Sequence, residues 1–150
     1  MKNIGIISAM IVMTMITSSA QAQPYKMALG IRFSSPDAAV NTSATFKYFF
    51  NEKTALETML SFGDPLALGL LVEKHRPLLS NRFNWFAGGG GYVGFSGERR
   101  VGLQGVLGLD YKVPAIPFNL SIDWKPELNL SKEFSFEPAA VGLSARFTFK

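Results

Sequence analysis

Cysteine is absent from this 150-residue chain, which excludes disulfide staples and thiolate metal sites and is compatible with an oxidising compartment. Histidine is nearly absent. His75 stands alone, and one imidazole with scattered carboxylates makes no ligand cluster. Charge of one sign never accumulates: fifteen Lys and Arg against eleven Asp and Glu give +4, yet the only adjacent bases are Arg99 and Arg100. The basic stripe that nucleic-acid binding needs is therefore missing. After residue 22 no apolar run is long enough to cross a bilayer as a helix. What is present is 47% hydrophobic and 13% aromatic residues with 14 glycines, a composition suited to one domain.

The first 22 residues read as a cleaved signal peptide. Lys2 supplies the positive charge, Ile4 to Ile16 the apolar run, and Ala20-Gln21-Ala22 a small-x-small cleavage site. A membrane-anchoring helix needs about twenty apolar residues, and Thr17, Ser18 and Ser19 interrupt first. Residues 23–150 then form the mature domain. An exported chain without a second anchor is either soluble or a barrel.

The mature chain alternates apolar and polar residues with period two, the mark of a strand with one greasy and one wet face. Ala139 to Lys150 is a clear case: Val141, Leu143, Ala145, Phe147 and Phe149 oppose Gly142, Ser144, Arg146 and Thr148. The same pattern predicts strands over Tyr25 to Ser34, Val40 to Phe50, Ala55 to Phe62, Leu66 to His75, Phe83 to Phe95, Val101 to Lys112 and Phe118 to Glu127. Ser35-Pro36-Asp37, Asn51-Glu52-Lys53, Gly63-Asp64-Pro65, Pro77, Ser96 to Arg100, Pro114 with Pro117, and Asn129 to Pro138 punctuate them. Gly88 to Gly91 erases the alternation within the fifth strand. A phosphate cradle there would need a following helix and a Lys-Ser or Lys-Thr, so a bend, or room for a neighbouring aromatic, is the reading. Eight strands of about ten residues match an all-β, antiparallel, up-and-down transmembrane barrel.

Alternation alone also suits a soluble barrel with its apolar face inward, so residue size must decide. The greasy phase holds Phe, Tyr, Trp and Leu, whereas the other phase holds many Gly, Ala and Ser. An eight-stranded interior is narrow, which puts the large residues outside. Up-and-down wiring from the periplasm then places Tyr25, Tyr48, Phe50, Phe83, Trp85, Tyr111, Phe118, Phe147 and Phe149 near one interface. Phe33, Phe62, Phe95 and Trp124 fall near the other, giving two aromatic girdles. The inward phase carries Lys26, Arg32, Lys47, Lys112, Lys125 and Arg146 with Glu57, Glu73, Asp110, Asp123 and Glu127. Isolated charges in a narrow interior are costly, so these groups, with His75, are expected to pair and plug the lumen. A three-residue loop at Asn51-Glu52-Lys53 sets Lys47 opposite Glu57.

With its strands so placed, the segment from Tyr25 to Phe149 resembles the small eight-stranded outer-membrane β-barrels of OmpA/OmpX-type architecture. The resemblance rests on the ending Gly142, Phe147 and Phe149 and on Pro117 to Pro126, PFNLSIDWKP; Lys150 follows the aromatic that usually ends such chains. It implies an outer-membrane location, a monomer embedded in outer-membrane lipid, and a terminal signal made by Gly142, Phe147 and Phe149 for the barrel-assembly machinery. Fold does not fix function. Some barrels of this kind modify lipid A, so an acyltransferase or deacylase is the rival reading, and a secreted ligand-binding barrel a weaker one. A Ser-His-acid site needs three converging groups, and His75 has only Glu73 nearby in phase. The expectation is a non-enzymatic protein without cofactor, with a structural or surface-interaction role. Asn41-Thr42-Ser43 and Asn129-Leu130-Ser131 fit a glycosylation pattern by chance.

Overall fold

The computed structural model describes residues 25–35, 40, 42–62, 66–80, 82–95, 100–131, 134–138 and 140–150. The signal-peptide segment, Asn41 and much of the connections at 36–39, 63–65 and 96–99 lie outside them. Among the described residues the structure is all-β, with ten strands: β1 (Met27–Ser34), β2 (Ser43–Phe49), β3 (Thr54–Ser61), β4 (Ala67–Ser80), β5 (Phe83–Gly94), β6 (Arg100–Lys112), β7 (Phe118–Trp124), β8 (Glu127–Asn129), β9 (Ser135–Glu137) and β10 (Val141–Phe149). Sequential antiparallel pairing from β1 to β7, β7 with β10, and β10 back onto β1 closes a barrel of eight strands. Closure leaves the wall without an edge.

The expected strands appear, with two differences in extent. Proline does not stop β4, which continues to Ser80. Pro77 sits opposite Asn84 just before a register shift, and such an irregularity at the end of a barrel tolerates a residue without an N–H. The fifth strand runs through its glycines as expected, Gly88 to Gly91 pairing in register with Glu73 to Leu70. A Cβ at Gly88 or Gly90 would lie 2.0 Å from the Val72 carbonyl oxygen or 1.8 Å from that of Leu70, so only glycine allows this approach. Finally, Asn129 to Pro138 is not simply a loop. Gln104 faces Glu127 in the same register that sets Leu107 against Trp124, so β8 continues β7 past Pro126, and β9 folds back on β8.

Alternation also misplaces three residues beyond true strand ends. Tyr25 and Val40, expected outside, are buried, whereas Lys26, expected inside, is exposed, with its ammonium 5.6 Å from the Tyr48 ring centroid. Period two holds only while the backbone stays extended and paired. Lys112, also expected inside, ends β6 half-buried; its Nζ donates to the carbonyls of Val113 and Ile116, at 2.9 and 2.6 Å.

Between strand ends the two faces are as expected. Leu143, Phe33 and Phe147 on the outer wall are more than half exposed, at 60%, 54% and 58%, while Arg32 and Arg146 on the inner face are 1% exposed. The lumen nevertheless accepts large apolar groups, including Phe86, Tyr92, Leu71, Met59 and Val40. Two of them fit because glycine faces them across the ladder. Phe86 pairs with Gly108 and Tyr92 with Gly102, and a Cβ on either glycine would sit about 2.5 and 2.4 Å from the ring. Large against small fills a narrow barrel at constant volume.

Candidate functional site: the luminal polar network

The inward phase of the strands delivers four cations, Arg32, Lys47, Lys125 and Arg146, and five carboxylates, Glu57, Glu73, Asp110, Asp123 and Glu127, all buried. The charges nearly balance, and the groups meet in two layers. In the layer near the chain termini, Arg146 on β10 donates from its Nη2 to Glu57 on β3 and from Nη1 to Asn119 (3.2 Å) and Ser121 (2.8 Å) on β7. Its Nε reaches Thr45 on β2 at 3.3 Å, and Thr45 itself donates to Glu57. One guanidinium, with five donors in a fixed fork, thus ties four strands across the lumen.

Register places Lys47 opposite Glu57, as expected, but the two do not form the ion pair. Lys47 Nζ instead lies 2.8 Å from Glu73 Oε2 on β4 and 4.5 Å from the Phe86 ring centroid. Directly opposed long side chains can lean along the barrel to other counter-charges, and Arg146 pairs with Glu57 from the far wall. His75 Nε2 lies 2.9 Å from the same Glu73 oxygen, and its Nδ1 is 3.7 Å from Asp110 Oδ2. Its ring stacks on Phe86 at 4.9 Å and meets Phe49 edge-on at 4.9 Å. Asp110 accepts from Tyr25 Oη at 2.8 Å and from Asn119. The charged members of this layer thus come from β2, β3, β4, β6 and β10.

The second layer lies toward the longer connections. Arg32 Nε donates to Asp123 Oδ2 at 3.2 Å, its Nη2 binds Oδ1, and Nη1 approaches the Val40 carbonyl at 3.4 Å. Lys125 Nζ lies 2.8 Å from Met59 Sδ, within the fields of Glu57 and Asp123. Glu127 accepts from Gln104 Nε2 at 3.3 Å. Buried charges left unpaired would cost several kcal/mol each, so this pairing is what makes such an interior possible. Chemically it is a set of cross-lumen staples.

Of the residues singled out from sequence, Arg32, Lys47, Glu57, Glu73, His75, Asp110, Asp123, Lys125 and Arg146 are thus brought together inside. Gly142, Phe147 and Phe149 are not a cluster. Phe147 and Phe149 face outward on β10, whereas Gly142 faces the lumen, where a Cβ would fall 2.3 Å from Arg32 Nη2. The glycine therefore has a packing reason to be there: it leaves the space that the Arg32 guanidinium fills beside Asp123. Thr45, Asn119 and Ser121 share the inward phase of Lys47, Asp123 and Arg146, and that phase is their signal in the sequence. Tyr25 carried no such signal because it precedes β1. Among the described residues no cluster of His, Asp and Glu is arranged to hold a metal ion. No protein-family model, no curated protein and no solved structure matches this chain.

Proposed function

We propose that this protein is an integral outer-membrane β-barrel of OmpA/OmpX-type architecture, with a plugged polar interior and a structural or surface-interaction role. One observation carries the reading. Among the described residues, no charged side chain points outward between the rim holding Lys26, Lys74 and Arg76 and the rim holding Arg100 and Glu137, while the charges of the strands are gathered in the lumen. A water-soluble barrel distributes them the other way. An apolar band outside and a paired polar interior suit a wall solvated by lipid.

Orientation follows from the connections. At the rim with the termini they span residues 50–53, 81–82 and 113–117, whereas at the other rim they span 35–42, 62–66, 95–99 and 130–134. Short turns belong to the periplasmic side and longer loops to the cell surface. An acyl-modifying role would require His75 to meet a substrate, and its ring is 1% exposed between Phe49 and Phe86. The surface connections and the β8–β9 hairpin are the parts free to meet a partner.

Expression of the full chain with its own leader in a Gram-negative host, followed by separation of outer membrane from periplasm, tests this. The barrel should resist extraction by alkaline carbonate and migrate faster on gels before boiling than after. Soluble protein in the periplasmic fraction would overturn the proposal.

A further inference from the structure

The net charge of the chain is not spread over the barrel. The lumen holds four cations and five carboxylates, so the positive excess lies outside it, and topology concentrates it at one end. Lys26, Lys53, Lys74, Arg76, Arg82 and Lys150 all sit at the rim of the termini, joined by Lys112, while Glu52 is the single acidic side chain there among the described residues. The register fixes their common level. Lys26 N donates to Phe149 O, His75 N to Lys53 O and Lys112 N to Arg82 O, and Lys74 pairs with Thr54. By sequence, the opposite connections with β9 and the start of β6 carry Arg99, Arg100 and Lys132 against Asp37, Asp64, Glu98, Glu133 and Glu137. The barrel is therefore polarised along its axis.

Seven cations around one rim repel each other; Lys112 lies in the field of both Arg82 and Lys150. Their own carboxylates do not neutralise them, since those of the strands are buried in the lumen. Just inside the rim runs the aromatic girdle: Tyr48, Trp85, Tyr111, Phe118 and Phe147 point outward there. Arg76 pairs in register with Trp85, and Lys26 lies over Tyr48. Aromatics at the carbonyl level with cations just beyond is the arrangement that an anionic headgroup layer rewards.

We infer that this rim is a binding belt for anionic phospholipid headgroups, whose phosphates are shared between Lys53, Lys74, Arg76 and their neighbours. The inference rests on the membrane reading above. It adds lipid selectivity, which a merely apolar wall would not show. Each cation near a charged surface contributes about a fivefold preference at moderate ionic strength, and the preference is screened by salt.

Trp85 is a built-in reporter. Protein purified from outer membranes, carrying Trp124→Phe so that Trp85 alone fluoresces, is reconstituted into phosphatidylcholine vesicles containing phosphatidylglycerol. The brominated chains are placed on one lipid or the other in matched sets. Severalfold stronger quenching by brominated phosphatidylglycerol is expected at low salt, falling to parity at high salt and falling markedly, short of parity, in Lys53→Gln/Lys74→Gln/Arg76→Gln protein, which keeps the other four rim cations. Equal quenching by both lipids in the unsubstituted rim at low salt overturns the belt while leaving the membrane barrel intact. Quenching by neither lipid overturns the membrane reading, and the belt with it.

Discussion

A single buried carboxylate shows how pairing in this lumen departs from register. Glu57 faces Lys47 across β2 and β3 yet accepts from Arg146 on the far wall. Glu57→Ala should destabilise the barrel by about 3–5 kcal/mol, because it leaves a guanidinium buried without its carboxylate. Urea unfolding followed by gel mobility would measure this. A double-mutant cycle should give a larger coupling for Glu57 with Arg146 than for Glu57 with Lys47, and the reverse order would refute the pairing described. Gly142 allows a second test at the same scale. An alanine there meets the Arg32 guanidinium, so Gly142→Ala should cost about 1–3 kcal/mol through overpacking. Shortening the arginine in an Arg32→Met/Asp123→Leu background should recover part of that loss. Were Gly142 needed for assembly alone, its substitution would leave the unfolding midpoint unchanged.

Among the elements, β10 closes the barrel against β1 and β7 and carries the residues proposed as the assembly signal. Phe149 is half exposed on the outer face, and Thr148 lies on the inner phase, its N–H bonded to Pro117 O at 3.0 Å. A charge near a membrane interface costs only about 0–1 kcal/mol, against about 2–4 for Lys or Arg at the midplane. Burial therefore predicts a small effect for Phe149→Lys. A much larger loss of heat-modifiable protein than for Thr148→Lys, measured in outer-membrane fractions, is expected if the terminal aromatic is recognised. Equal yields for Phe149→Lys and the parent would remove that role. The β8–β9 hairpin presents a different case, since its Phe134 and Phe136 flank are exposed at 76% and 59% above the wall and contribute little to closure. Replacing residues 130–134 with a shorter turn should leave folding yield and unfolding midpoint within about 0.5 kcal/mol of the parent.

For the whole molecule the consequence of the network is a closed lumen. Arg146, Glu57, Lys47, Glu73 and His75 fill the layer near the termini with Phe86 stacked on His75, and Leu71, Met59, Val40 and Tyr92 join Phe86 in one buried apolar cluster. Planar-bilayer recordings of purified protein should show no discrete channel steps, and steady open-pore conductance would contradict the packing. An eight-stranded barrel has just the width that side chains fill, so the filled lumen follows from strand number as much as from the particular residues.

The sequence by itself determined the eight strands of the barrel wall, their two faces and, between strand ends, which charges turn inward, because period two is a local property of extended chain and needs no partner to be read. It determined the register at Asn51-Glu52-Lys53 for the same reason: a short loop leaves little freedom. It did not determine where pairing ends. Tyr25, Lys26 and Val40 lie past the last ladder partner, where alternation has no physical basis, and Pro77 looks like a break until a neighbouring strand holds it in place. Nor could it choose ionic partners. Lys47 meets Glu73, and Glu57 meets Arg146 89 residues away, because only closure brings opposite walls within side-chain reach. The gathering of seven cations at one rim is likewise a product of the up-and-down wiring, which carries residues scattered from Lys26 to Lys150 to the same end of the barrel.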